Sequence, residues 1–120
     1  MASLSEFRID IAPDVQQCPS PFIDRQLIHV AIEFCRDTKI AEPPALNTTE
    51  LPDALIEYIE GIAHGVKSRL FAMPDKPWTE LSMVDYHKLR FDEAKADAKA
   101  AYIIGEQSNP LTIESKPFGF

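Results

Sequence analysis

Two carboxylate–imidazole pairs are the first residues whose types and spacing suggest chemistry: His29 with Glu33, and Glu60 with His64. Each pair is four residues apart, so on a helix its members share one face. Two such pairs on facing helices would offer nitrogen and oxygen ligands to a transition metal, or an acid and a base to a proton transfer. Helical di-metal sites, however, use Glu-x-x-His spacing with further glutamates on partner helices. Neither pair has that spacing, and the expectation is of surface helix pairs with no metal and no cofactor. Cys35 falls beside an apolar stripe and reads as a small buried hydrophobe. Cys18 precedes a proline, with no histidine in sequence aimed at it. The chain holds no GxGxxG, no phosphate-binding P-loop and no GxSxG. It reads as a non-enzyme.

The elements that would position these residues are helices. Ser20 and Pro21 form a helix start, a capping residue followed by proline in the first turn. Ile23, Leu27, Val30 and Phe34 then form one apolar stripe, flanked by Ala31 and Cys35, to a helix end near Lys39. After the breaker-rich AEPPALNTTE (41–50), a second helix is predicted from Pro52–Asp53 to Ala72. Its stripe is Leu55, Ile59, Ile62, Val66 and Leu70. Beside it runs a face of mostly small residues: Ala54, Tyr58, Gly61, Gly65, Ser68 and Ala72. Each helical glycine costs about 1 kcal/mol relative to alanine, so Gly61 and Gly65 imply close approach of another helix or backbone.

The elbow FAMPDKPWTE (71–80) carries two prolines and the only tryptophan, Trp78. Pro74 and Pro77 stop one helix and aim the next, and Trp78 supplies a large apolar anchor, either on the chain's own first helix or on a neighbouring copy. A third helix, capped by Thr79 or Ser82, is predicted from about Glu80 to Glu106, about 40 Å long. Its inner stripe is Val84, His87, Phe91, Ala94, Ala98 and Ala101. At the N-terminus Phe7, Ile9 and Ile11 alternate, which fits a short strand or a helical turn before an extended lead-in. The last residues, PLTIESKPFGF, leave the helical pattern for an extended arm bearing Leu111, Ile113, Phe118 and Phe120. The fold class expected is all-α: a small bundle of about three main helices, with an extended N-terminal lead-in and an extended C-terminal arm. The division is a helical domain over 1–109 and an arm over 110–120.

Composition narrows the function classes. A chain of 120 residues makes one small domain. With 19 acidic against 12 basic residues the formal charge is −7, the wrong balance for a protein that grips nucleic acid. An acidic chain can nonetheless line a passage through which DNA slides without sticking. No apolar run approaches the roughly 20 residues of a membrane span, and no secretory signal is expected from MASLSEFRID. Two cysteines without CxxC spacing suit a reduced, cytosolic chain.

Two stretches carry a family resemblance. In the first, CPSPFIDRQLIHVAIEFCRDT, a Cys-Pro lead-in precedes a helix ending in Glu33, Phe34, Cys35, Arg36 and Thr38. The second runs from Leu51-Pro52-Asp53 through Ala63, Gly65, Arg69-Leu70, Met73-Pro74, Lys76-Pro77-Trp78, Tyr86 and Arg90-Phe91. Spanning 18–38 and 51–100, they cover more than half of the chain. In these the sequence resembles bacteriophage head-to-tail adaptor (connector) proteins, most specifically in the MPxKPW elbow. The resemblance implies a virion structural protein, made in the bacterial host cytoplasm. Its copies would form a ring, commonly dodecameric, beneath the portal. That ring would continue the channel for genomic DNA without binding it specifically and offer a docking surface to a tail or stopper protein. Longer relatives carry a β-rich insertion between the first and second helices; here that region is only AEPPALNTTE. On this reading Gly61, Gly65, Trp78, Leu111, Ile113, Phe118 and Phe120 are the expected subunit or portal contacts. A different class also fits the residues, a small intracellular helical binding protein, chaperone-like or antitoxin-like, that covers a partner's apolar surface.

Overall fold

A computed structural model of the protein describes residues 1–111. Among them are a two-residue strand β1 (Ala2–Ser3), a short helix α1 (Leu4–Arg8), a 3-10 turn (Ala12–Asp14) and the helix α2 (Ser20–Thr38). The strand β2 (Glu50–Leu51), a 3-10 segment (Asp53–Tyr58) and helix α3 (Ile59–Phe71) follow. After the elbow comes a last 3-10 turn (Leu81–Met83), which leads into helix α4 (Val84–Leu111). The fold is all-α, a small helical bundle. Its one sheet among the described residues pairs β1 and β2 antiparallel, Ala2 opposite Leu51. Among the described residues no helix is long and apolar enough to cross a membrane.

Each long helix buries the stripe its sequence displays. Ile23, Leu27, Val30, Ala31, Phe34 and Cys35 of α2 are buried, as are Leu55, Ile62, Val66 and Leu70 of the second segment. The winding of α2 stops at Lys39, which takes a left-handed conformation (φ 64°) and donates its N–H to the Cys35 carbonyl at 2.9 Å. One turn earlier, the buried Thr38 hydroxyl donates to the Phe34 carbonyl, so its burial leaves no polar atom unpaired.

Two elements differ from the sequence reading, and at the N-terminus the structure takes the helical turn of the two alternatives left open. The N-terminal residues wind rather than alternate: Phe7 and Ile11 are buried while Ile9 is 70% exposed, the i, i+4 pattern of a helical turn. The two-residue strand precedes them, its Ser3 N–H accepted by the Glu6 carboxylate at 2.9 Å. The second predicted helix divides at Tyr58 (φ −114°, ψ 24°) into 3-10 and α portions. Tight winding aligns residues three apart, which brings Leu55 into the core and Tyr58 against Phe34, ring centroids 5.4 Å apart. In the third helix Thr79 and Ser82 do not cap. Ser82 hydrogen-bonds Glu80, and Thr79 serves the elbow. The inner stripe of α4 is buried or half-buried from Val84 to Ala98, but Ala101 is exposed, because α4 outruns the helices that cover it.

Candidate assembly surface

The small face of α3 is used inside the chain. A Cβ at Gly61 would lie 2.3 Å from Ala94 Cβ of α4, and one at Gly65 would lie 2.8 Å from the Phe91 ring and 2.9 Å from Val30 of α2. The close approach that offsets the two glycines is therefore the α2–α3–α4 junction itself. Trp78 is likewise turned inward. It is 7% exposed and meets Phe22 at the start of α2 edge to face, with centroids 5.9 Å apart. This settles the anchor's position on the chain's own first long helix. Among the described residues its indole N–H has no acceptor.

The elbow holds Trp78 through a closed set of hydrogen bonds. Asp75 takes a left-handed conformation (φ 57°) that turns the chain back. The Thr79 hydroxyl accepts the Lys76 N–H at 2.9 Å and donates to the Met73 carbonyl. Glu80 N–H then reaches the Phe71 carbonyl at 3.1 Å, closing the loop onto the end of α3. These bonds tie the elbow back onto the end of α3, just before α4 begins.

The residues singled out for chemistry take other partners in the fold. Neither i, i+4 pair bonds internally. Glu33 instead bridges Lys95 of α4 (2.8 Å) and Arg69 of α3 (3.3 Å), and Lys95 also holds Asp37 at 2.9 Å. Burial alone would lower the Lys95 pKa, but the hydrogen bonds that its ammonium donates to Glu33 and Asp37 outweigh it and the ammonium is pushed up to about 12. His64 pairs with His87, Nδ1 to Nδ1 at 2.8 Å, with Phe71 and Tyr86 packed against the His87 ring. One ring must donate and the other accept, which neutral imidazoles can do and two imidazoliums cannot. Burial lowers both pKa values, assisted by the Lys67 cation. Lys67, itself buried, is neutralised by Asp14 at 2.7 Å. Burial pushes the Cys35 thiol up to about 11, and Cys18 is raised for the same reason. Among the described residues no group of three or more His, Cys, Asp or Glu side chains is arranged to hold a metal.

The histidine pair, Lys67–Asp14 and the Lys95 hub escaped the sequence reading because each joins residues far apart in the chain. The one available signal was His87, a polar residue on an otherwise apolar stripe.

Among the apolar surfaces the fold leaves uncovered, beside single residues such as Ile9, Leu46, Leu81 and Leu89, is the far end of α4. Beyond Ala98 every described residue through Gly105 is exposed, with Ile103 at 45% and Ile104 at 62%. Tyr102 is partly sheltered beside Pro43 and Cys35. Leu111 is the last described residue of α4, whereas Ile113, Phe118 and Phe120 of the expected arm lie outside the described residues. No protein-family model, no curated protein and no solved structure matches the chain.

Proposed function

We propose that the protein is a head-to-tail adaptor of a bacteriophage virion. It would be a non-enzymatic subunit that forms a ring, dodecameric in the reading offered, between the portal above and a tail or stopper protein below. The observation that carries this reading is the uncovered end of α4, where two adjacent isoleucines project past the packed body. A single chain gains nothing by holding such surface in water, whereas covering each isoleucine contributes about 2 kcal/mol before ordering costs. The locked elbow supports the same role, since repeated subunits need a fixed angle between the element that packs and the element that reaches out. The resemblance in the Cys-Pro lead-in and the MPxKPW elbow supplies the identity of the assembly. Genomic DNA passes through such a ring, and the acidic balance of the chain suits passage over binding.

Imaging of assembled particles is the direct test, and a closed ring of this chain at the portal vertex is expected. Particles whose head-tail junction lacks such a ring would refute the proposal. Truncation after Asn109 should leave the isolated chain folded while attachment to portal-bearing heads fails. Full attachment of the truncated chain would remove the arm from the proposal and leave the contact to the helices.

A further inference from the structure

A second surface is chemically distinct from the end of α4. The start of α2 and the end of α3 border an open groove of about 430 Å³ with Phe22 and Met73 as its apolar lining and Arg25, His29, Arg69 and Lys76 around them. Among the described residues no carboxylate lines it. In a chain with seven more acidic than basic residues, a concave site whose charged lining residues are Arg25, Arg69 and Lys76 stands against the overall balance of charge. Among the described residues Arg25 and Lys76 have no ion-pair partner, while Arg69 is shared with Glu33 at 3.3 Å and steadied by Gln26 at 3.5 Å. The site is also preformed: Phe22 stays 43% exposed while Trp78 supports its other side, and Lys76 lies in the hydrogen-bonded elbow.

We propose that this groove binds a short acidic segment of a partner protein, with an aromatic or large aliphatic residue set between carboxylates. Arg25 and His29 stand one helical turn apart, about 6 Å. On an extended strand, side chains two residues apart point the same way with a spacing of about 7 Å. Two carboxylates at that spacing match the α2 side of the groove, and the apolar residue between them points the opposite way, toward Met73 on the α3 side. Lys76 and Arg69 close the other side. Charge complementarity selects this occupant over nucleic acid. A protein that holds a polyanion commonly neutralises about 6–10 phosphates, far beyond two free cations, and the chain as a whole carries a net charge of −7 that opposes a long strand. A short segment meets only the local field, because screening limits each charge to about 8 Å at physiological salt. The inference stands on the groove and not on the adaptor reading, so either can fail alone.

The test uses the full chain and a fluorescein-labelled probe peptide of sequence Gly-Asp-Phe-Asp-Glu-Gly, read by anisotropy. Saturable binding is expected, weakened at least tenfold by Arg25→Glu with Lys76→Glu. A probe with Asn and Gln in place of its acids should lose binding altogether, and one with Ser in place of Phe should bind several-fold more weakly. Because both substituted cations are exposed, the fold should persist; Arg25→Gln with Lys76→Gln provides the same reading at lower charge change. Absence of saturable binding up to about 1 mM, the limit of weak specific association, would overturn the proposal. Unchanged affinity in both double variants would do the same. So would tighter binding of a single-stranded oligothymidylate at the same cations, or self-association that the double variants abolish, since each assigns the groove to another occupant.

Discussion

Replacing Gly61 by alanine should destabilise the protein even though it improves the helix. In an exposed helix the change would contribute about 1 kcal/mol in favour of folding. Here the new methyl group would lie 2.3 Å from Ala94 Cβ, whereas carbon atoms in contact sit at about 3.5–4.0 Å. Both atoms are fixed to helical backbone, so no side chain can rotate away and α3 and α4 must part by more than about 1 Å. That opening also loosens the next turn, where Gly65 admits Phe91 and Val30. Overpacking of this kind costs about 1–3 kcal/mol; with backbone on both sides we take the upper end. The net loss expected is about 1–2 kcal/mol, or roughly 4–8 °C in Tm for a domain of this size. The reverse change, Ala94→Gly, should cost about 1 kcal/mol through helix propensity alone. In the double variant the methyl group has merely crossed the interface, and stability should return to within about 0.5 kcal/mol of the parent. The cycle would then show a coupling of about 2–3 kcal/mol, within the range found for residues in contact. Urea denaturation followed by helical circular dichroism measures all four chains. A Gly61→Ala chain as stable as the parent, or additive effects in the double variant, would refute the argument that these helices need the glycine.

The histidine pair predicts a pH dependence with a definite sign. Because burial lowers both His64 and His87 below the ordinary value, the folded chain binds fewer protons than the unfolded one. The pair's contribution is therefore complete above about pH 6.5 and is lost as pH falls through that value toward the depressed folded pKa values. The urea midpoint should drop between about pH 7.5 and pH 5, and His87→Asn should flatten that part of the profile; a parent profile already flat there would contradict the pairing. Lys95→Met leaves Asp37 and Asp92 without their cation and Glu33 with Arg69 alone, and a loss of about 1–2 kcal/mol is expected by equilibrium unfolding, discounted for the solvent that reaches the three acids. Trp78→Ala empties the elbow's anchor and should cost about 3–5 kcal/mol, measurable as a lower denaturant midpoint. With its thiol pushed up to about 11, Cys35 should resist a thiol reagent in the native chain and react only on unfolding, while the half-exposed Cys18 reacts first.

The helices were legible because amphipathic periodicity is a local property. Ile23 to Phe34 and Ile62 to Leu70 repeat at the helical period, and a residue's place in that period decides its side of the helix before any partner is present. The glycines at 61 and 65 announced a close approach in the same way, through a propensity cost that a folded chain must offset. Neither property names the partner. That Ala94 fills the space over Gly61, and that Trp78 closes on Phe22, depends on how the elbow sets α4 across α3, and the elbow depends on Thr79 bonding back to Met73. The candidate chemistry reversed for the same reason. Spacing along one helix grouped His29 with Glu33 and Glu60 with His64, but a side chain bonds whatever the neighbouring helix presents. Packing therefore gave Glu33 to Lys95 and Arg69, and His64 to His87. Helical period ties residues about four apart, while the contacts that form a site join segments tens of residues apart. Period was written in the sequence; the meeting of those segments was decided only by the tertiary fold.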